Sequence, residues 1–255
     1  MENRTAQSSD PAQRRDRLLA AIFDVDGVLV ASPHERAWRE ALAGFADPSR
    51  FTTAFYQADV AGKPRLDGAR SALEQLGIAQ AAERAPEYAA TKQALIERLI
   101  DEGSFEAFPD AERLAVALKA AGLRLALASS SRNAAAMLRR LALPDGRTLL
   151  SIFDADLSGR DVPHGKPDPA IFLLAAQALN IPPAQCLVVE DAPAGILAAR
   201  AGGMTALGIA RLGDEALLQA AGADIVVTSL DQVDIAAIPG GMLCARPDRE
   251  TPAHA

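Results

Sequence analysis

Two aspartates one residue apart, Asp24 and Asp26, stand at the end of an apolar run, with Gly27 directly after them. A carboxylate fixed at a strand end can act as a nucleophile, and a second one beside it can move a proton. The pair is equally compatible with a plain strand-ending turn, where Asp and Gly are common. A calcium loop does not fit, because that pattern needs an oxygen-bearing side chain at Val28 and glycine at Leu29.

Three further segments carry groups of related chemistry. Ser129, Ser130 and Ser131 precede Arg132 and Asn133 where an apolar run gives way to a helical pattern. Such serines are helix caps, or hydroxyls that bind a phosphate oxygen. Lys166 lies in Gly165-Lys166-Pro167-Asp168-Pro169, just before another helical pattern. A nucleotide P-loop is excluded, since Gly159 and Gly165 are too far apart and Pro167 stands where Ser or Thr is required. Lys166 is then a surface charge, or a point charge for a transferring phosphoryl group. Glu190 and Asp191 close a fourth apolar run before Ala192 and Pro193. Asp191 is placed either to cap the next helix or to bind Mg²⁺, which takes one or two carboxylates plus waters and substrate phosphate. Each segment has an ordinary explanation, but the set contains a nucleophile, a second acid, a hydroxyl, a cation and metal-binding carboxylates. Phosphoryl transfer needs that set.

Parallel strands that end on one rim would bring these groups together. Aliphatic runs at 18–23, 123–128, 152–155, 186–189, 205–209 and 225–227 read as buried strands. Helical spacing at 110–121, 132–141, 169–179, 193–201 and 214–221 alternates with them, and Gly122, Gly202 and Gly222 stand as stops. The expected fold is α/β, a doubly wound parallel sheet with right-handed crossovers. Between the first strand and the helix at Asp110 only helical patterns occur, at 35–43, 51–59, 68–76 and 86–100. They predict an all-helical cap over residues 33–106, inserted at the carboxyl end of the sheet where open α/β sheets bind ligands. The core then comprises 18–32 and 107–238, with a polar leader over 1–17 and a frayed C-terminal tail over 239–255.

Composition narrows the partners. The 255 residues carry 26 basic and 33 acidic side chains, a net charge of −7, with no basic block for nucleic acid or an anionic membrane. Hydrophobic residues at 49% and charged residues at 23% fit an ordinary globular chain with a buried core. The apolar run before Asp24 is too short for a signal peptide or a membrane helix. Two cysteines, Cys186 and Cys244, lack neighbours at metal-ligand spacing and fit a reducing, cytoplasmic setting. The expected partner is a small phosphorylated molecule, and the expected state is a monomer.

Asp24-Val25-Asp26-Gly27, Ser129, Lys166 and Glu190-Asp191, in that order, resemble the haloacid dehalogenase superfamily. The helical insertion, with His34-Glu35-Arg36-Ala37-Trp38 and Gly62-Lys63-Pro64-Arg65, resembles the cap of its β-phosphoglucomutase and sugar-phosphate phosphatase subgroup. The resemblance implies that Asp24 becomes an aspartyl phosphate and that Asp26 protonates the leaving oxygen. It implies that Ser129, with Ser130, and Lys166 hold phosphoryl oxygens. Mg²⁺ would lie between Asp24, the Asp26 backbone carbonyl and Asp191, with Glu190 in support. A second Asp in the nucleophile motif points away from dehalogenation. On the cap and rim, His34, Arg65, Lys92, Arg132 and Asn133 match substrate positions, although Arg65 and Lys92 also read as exposed helix charges. Many relatives carry Asp where this chain has Ala31, which bears on the cap hinge. The implied activity is that of a Mg²⁺-dependent sugar-phosphate phosphatase, with a phosphomutase as the alternative. A receiver-like phospho-acceptor is disfavoured, since receivers are shorter and lack a cap.

Overall fold

Unbroken aliphatic runs become strands because both faces of the sheet are covered. The computed structural model describes residues 17–238 and 243–245. Its strands are β1 (Ala20–Phe23), β2 (Val30–Ala31), β3 (Glu106–Ala107), β4 (Arg124–Leu127), β5 (Ala155–Asp156), β6 (Cys186–Glu190), β7 (Thr205–Ile209) and β8 (Ile225–Val227). Six of them form one sheet in the order β5-β4-β1-β6-β7-β8, with every pairing parallel. The chain runs outward from β1 to β4 and β5, then returns to β6 on the other side. The strand order therefore reverses between β1 and β6, and a crevice at their carboxyl ends is the expected ligand site.

The helices are α1 (His34–Ala41), α2 (Thr53–Asp59), α3 (Arg65–Gln75), α4 (Ala81–Asp101), α5 (Pro109–Ala120), α6 (Ala134–Arg140), α7 (Ala170–Leu179), α8 (Pro193–Ala201) and α9 (Glu215–Ala220). One face of the sheet buries Phe23, Leu125, Leu127 and Val189 against Leu114 and Leu118 of α5. The other buries Ile22, Ala126 and Val188 against Phe172 of α7 and Ile196 of α8. Helices α1–α4 form the inserted cap around a core of their own, which includes Trp38, Phe51, Leu73 and Tyr88. Tyr88 packs on Trp38 at 5.0 Å between ring centres, and its hydroxyl donates to the Trp38 carbonyl at 2.8 Å.

Several local features differ from the sequence reading. The strand expected at 152–155 is a 3₁₀ turn, Leu149–Ile152, followed by a two-residue edge strand, because Leu149 and Ile152 are three apart and both buried. Helix α6 starts at Ala134 rather than Arg132, since side chains hold the preceding residues in turns. Helix α4 begins at Ala81, five residues earlier than expected, and carries Pro86 inside it. Two short strands that the aliphatic pattern does not mark, β2 just before the cap and β3 at its end, pair as a short antiparallel ladder with Ala31 opposite Glu106. Of the stretch read as a tail, Ala245 bridges Val233 and the Cys244 carbonyl accepts from the Asp234 N–H at 2.9 Å. Residues 239–242 and 246–255, and the leader over 1–16, lie outside the described residues.

The start of α5 is tied to the far side of the sheet through Asp110. Its carboxylate accepts from the backbone N–H groups of Ala111 (2.9 Å) and Leu230 (2.8 Å) and from both terminal nitrogens of Arg211 (3.0 and 3.1 Å). Burial works against the ionised carboxyl, but the Arg211 and Leu230 bonds outweigh it and hold the pKa below the ordinary value. A depressed carboxyl contributes stability that is present above the unfolded pKa, near pH ~3.9, and is lost as pH falls through the folded value. Urea unfolding of the wild type should therefore lose more stability between about pH 5 and pH 3 than unfolding of Asp110→Asn. A second expectation concerns the core: Leu118→Ala should cost about 2–5 kcal/mol by urea unfolding, and Leu197→Ala, 47% exposed, less than about 0.5 kcal/mol.

Candidate active site

Asp24 directly follows β1, and its N–H bonds to the Val189 carbonyl of β6 at 3.0 Å. Lys166, from the loop before α7, donates to Asp24 Oδ1 at 2.7 Å and to Glu190 Oε1 at 2.6 Å. The Lys166 side chain is fully buried, its ammonium 4.8 Å from the centre of the Phe172 ring. Burial disfavours that ammonium, yet Asp24 and Glu190 outweigh the cost and raise its pKa, so Lys166 is charged. The carboxyl groups of Asp24 and Glu190 are raised by burial, which Lys166 opposes.

Glu190 is held from behind. Its second oxygen accepts from the Ala192 N–H at 2.9 Å, and a Cβ on Gly195 would fall 1.8 Å from Oε1, so only glycine leaves room for it. With both oxygens bonded inside the protein, Glu190 sits behind Lys166 and does not line the cavity. Asp191 does line it. The capping explanation fails for Asp191, since the N-cap of α8 is Ala192 and no side chain caps that helix. Burial pushes the Asp191 carboxyl well up, as do the nearby carboxylates of Glu190 and Asp24.

Asp26 lies in the turn that brings the chain back from β1 toward the cap. Ser129 Oγ stands 3.4 Å from its Oδ2. Its Oδ1 is 3.3 Å from His34 Nε2 but out of line for a hydrogen bond, which leaves a buried acceptor without a partner. Burial raises the Asp26 carboxyl, against the pull of Ser32, Lys92 and Ser129. Gly27 makes this turn with φ of +83°, and a Cβ there would lie 1.9 Å from Asp191 Oδ2. The missing side chain thus lets the turn that carries Asp26 pass directly against the Asp191 carboxylate.

The serines are not a helix cap. Ser129 Oγ accepts from the Ser131 N–H at 3.0 Å, and Ser131 Oγ from the Asn133 N–H at 3.2 Å. Two successive side-chain turns hold 129–133 open as a loop. Ser130 Oγ donates to the Gly62 carbonyl of the cap at 3.1 Å, so that hydroxyl joins cap to core.

One cavity of about 310 Å³ gathers Asp24, Asp26, Ser129, Ser130, Lys166 and Asp191 with the cap residues His34, Arg65 and Lys92 and the rim residues Arg132 and Asn133. Lys92 is not the exposed helix charge that spacing allowed. It is 3% exposed, with Nζ 2.6 Å from His34 Nδ1 and 4.9 Å from the centre of the Trp38 ring. Burial lowers its pKa to about 7, and burial likewise lowers that of His34. A Lys92 ammonium that donates to Nδ1 leaves the His34 hydrogen on Nε2, facing Asp26 and Ser131. Arg65, the first residue of α3, donates to Gln93, and Gln93 reaches Asn133 Oδ1 at 3.4 Å. Arg132 pairs with Asp161 at 2.5 Å at the exposed rim. Sequence reasoning missed Gln93 and Arg160, which also line the cavity. The only signal for Gln93 was its place beside Lys92 on α4.

Residues 18–203 match the family model described as haloacid dehalogenase-like hydrolase. The chain belongs to that family. This haloacid dehalogenase-like hydrolase is 35% identical over 220 residues to β-phosphoglucomutase of Bacillus subtilis (strain 168), covering 82% of this chain and 88% of that one. It is 32% identical over 200 residues to fructose-1-phosphate phosphatase YqaB of Escherichia coli (strain K12), covering 76% and 97%. A crystal structure of archaeal β-phosphoglucomutase from Pyrococcus sp. strain ST 04 superposes with a TM-score of 0.68 at 31% identity, over 88% of this chain and 99% of that one. These likenesses make the protein a phosphoryl-transfer enzyme with a capped α/β fold.

Among the described residues no three His, Cys, Asp or Glu side chains form a metal cage. Mg²⁺ does not require one, since it binds through one or two carboxylates and completes its shell with water and phosphate. Three buried carboxyls, Asp24, Glu190 and Asp191, and the half-buried Asp26 gather around Lys166, which contacts two of them, Asp24 and Glu190. The excess of acid suits a cation at the face shared by Asp24 and Asp191. Gly27→Ala should displace Asp191 and cut hydrolysis of an aryl phosphate by about 10²-fold, as small misplacements at a reacting centre do. Gly44→Ala, whose Cβ would meet nothing within 4 Å, should leave the rate unchanged.

Proposed function

We propose that this enzyme is a Mg²⁺-dependent phosphatase of small phosphorylated metabolites, chiefly sugar phosphates, that works through an aspartyl phosphate on Asp24. The observation that carries the reading is the buried Lys166 bridge to Asp24, with Asp26 two residues on in the same cavity. Lys166 holds Oδ1 of Asp24, and the other carboxylate oxygen is the nucleophile. It attacks phosphorus, the bond from phosphorus to the ester oxygen breaks, and Asp26 gives that oxygen its proton. Water then attacks the aspartyl phosphate, passes a proton to Asp26 and releases inorganic phosphate with Asp24 restored. Ser129 and the Lys166 ammonium hold the phosphoryl oxygens through both steps. Asp24, the Asp26 backbone carbonyl and Asp191 would hold Mg²⁺, with Glu190 in support by fixing Lys166. The bound ion supplies positive charge against the phosphoryl group.

His34, Lys92, Arg65, Arg132 and Asn133 would contact the rest of the substrate. Cations on both cap and rim suit an anionic substrate, and the phosphatase YqaB carries fructose 1-phosphate in its name. The second reading, a phosphomutase, is favoured by the β-phosphoglucomutase relatives. The core residues serve both reactions; in a mutase the phosphoryl group passes to a sugar hydroxyl instead of water.

The deciding experiment is a panel of sugar phosphates with Mg²⁺, with β-glucose 1-phosphate and its bisphosphate assayed in parallel for isomerisation. Free phosphate should appear, and Asp24→Asn should lose at least ~10⁴-fold in kcat. Glucose 6-phosphate without free phosphate would assign the mutase. Turnover unchanged by Asp24→Asn would exclude either form of the mechanism.

A further inference from the structure

Arg211 follows β7, outside every motif that marks the site, and its side chain is only 14% exposed. Nε donates to the Gly27 carbonyl at 3.0 Å and Nη2 to the Val28 carbonyl at 3.1 Å, while both terminal nitrogens fork onto Asp110. The guanidinium stacks on Phe108, 3.7 Å from the ring centre. Phe108 in turn donates its N–H to the Leu29 carbonyl at 2.9 Å. Three consecutive carbonyls of the turn after the nucleophile, Gly27, Val28 and Leu29, are thereby fastened to one stacked pair. The turn's internal bonds use other carbonyls: Val25 accepts from the N–H groups of Leu29 and Val30, and Val30 from that of Gly27. Val28 also packs its side chain into the core, but among the described residues no other hydrogen bond reaches the Gly27 and Val28 carbonyls.

Two important parts meet at this clamp. The turn carries Asp26 and the Gly27 approach to Asp191, and Phe108 directly follows β3, the exit from the cap. A second cavity of about 180 Å³ has Asp26, Gly27, Phe108, Asp191 and Arg211 in its walls, so the clamp and the two acids border one space. Only arginine offers a planar fork for a carboxylate together with a further N–H for a carbonyl; lysine presents a single point.

We infer that Arg211 is a positioning residue for the reaction: it fixes the Gly27–Val28 turn so that Asp26 and Asp191 keep their places. The inference rests on the phosphoryl-transfer reading. It also separates position from stability, because Asp110 keeps the Leu230, Ala111 and Ser229 donors when Arg211 is lost.

The test uses the full chain with Arg211→Met, Arg211→Lys and, as a surface-pair control, Arg113→Met, whose partner is Asp231. The readouts are kcat and KM for the best sugar phosphate, and the Mg²⁺ dissociation constant by calorimetry without substrate. Arg211→Met should lower kcat by about 10²-fold with KM nearly unchanged. It should weaken Mg²⁺ about tenfold, the size typical of a residue that orients metal ligands. Arg211→Lys should recover part of both, and Arg113→Met should match wild type. Wild-type kcat and Mg²⁺ affinity in a folded Arg211→Met, with only the melting temperature lowered, would overturn the inference. If that variant does not fold, Arg211→Lys decides: intermediate values support the clamp, wild-type values overturn it. Asp24→Asn in the same series isolates the parent reading. Should turnover survive that change, phosphoryl transfer through Asp24 fails, and the Mg²⁺ titration of the Arg211 variants still judges the clamp.

Discussion

A single buried ammonium holds the active centre together. Lys166 can lie with no exposed side-chain surface only because Asp24 and Glu190 meet it at 2.7 and 2.6 Å. A buried charge without such partners would cost several kcal/mol. That requirement fixes the neighbourhood of β1 and β6, whose ends carry the two acids, and it fixes the loop before α7 that delivers the lysine. Room for Glu190 then demands glycine at 195, and room for Asp191 demands glycine at 27. The chemistry and the packing impose the same residues.

The sheet order explains why this rim becomes the site. β1 is central, and the chain leaves it first toward β4 and β5 and later toward β6, β7 and β8. Loops therefore diverge at the carboxyl end of β1 and leave a crevice. The cap is inserted at that point, and the β2–β3 ladder brings its two linkers together. The cap contributes a buried amine, Lys92, and a histidine that faces Asp26, while Ser130 ties the serine loop to the Gly62 carbonyl. The cavity is thus lined from two separately packed units, the cap and the α/β core.

Much of this was legible in the sequence, for identifiable reasons. Four of the core strands, β1, β4, β6 and β7, bury nearly every residue and so read as unbroken aliphatic runs. Three of the four site segments were visible because acid or hydroxyl interrupts such runs at their ends, and Lys166 because it stands in a Gly-Pro segment just before a helix. Two-residue strands such as β2 and β3 have no period to detect. Leu149 and Ile152 looked like strand residues because a short apolar run does not distinguish a strand from a 3₁₀ turn. Serine at 129–131 suggested either a cap or a phosphate-binding hydroxyl, and only the three-dimensional course showed Ser129 and Ser131 bonding two residues on and Ser130 bonding to the cap. Lys92 and Arg211 are ordinary charges in the sequence. Their burial depends on Trp38, Phe108 and Asp110, which lie far from them along the chain.

The account stands most directly on a covalent phosphoryl group at Asp24. Acid quenching of the Mg²⁺-loaded enzyme during turnover, followed by peptide mass spectrometry, would reveal it. The predicted result is the added mass of one phosphoryl group on the peptide that contains Asp24, removed by hydroxylamine and absent from Asp24→Asn. Phosphorylation of any other residue, or full turnover in the Asp24→Asn protein, would contradict the account.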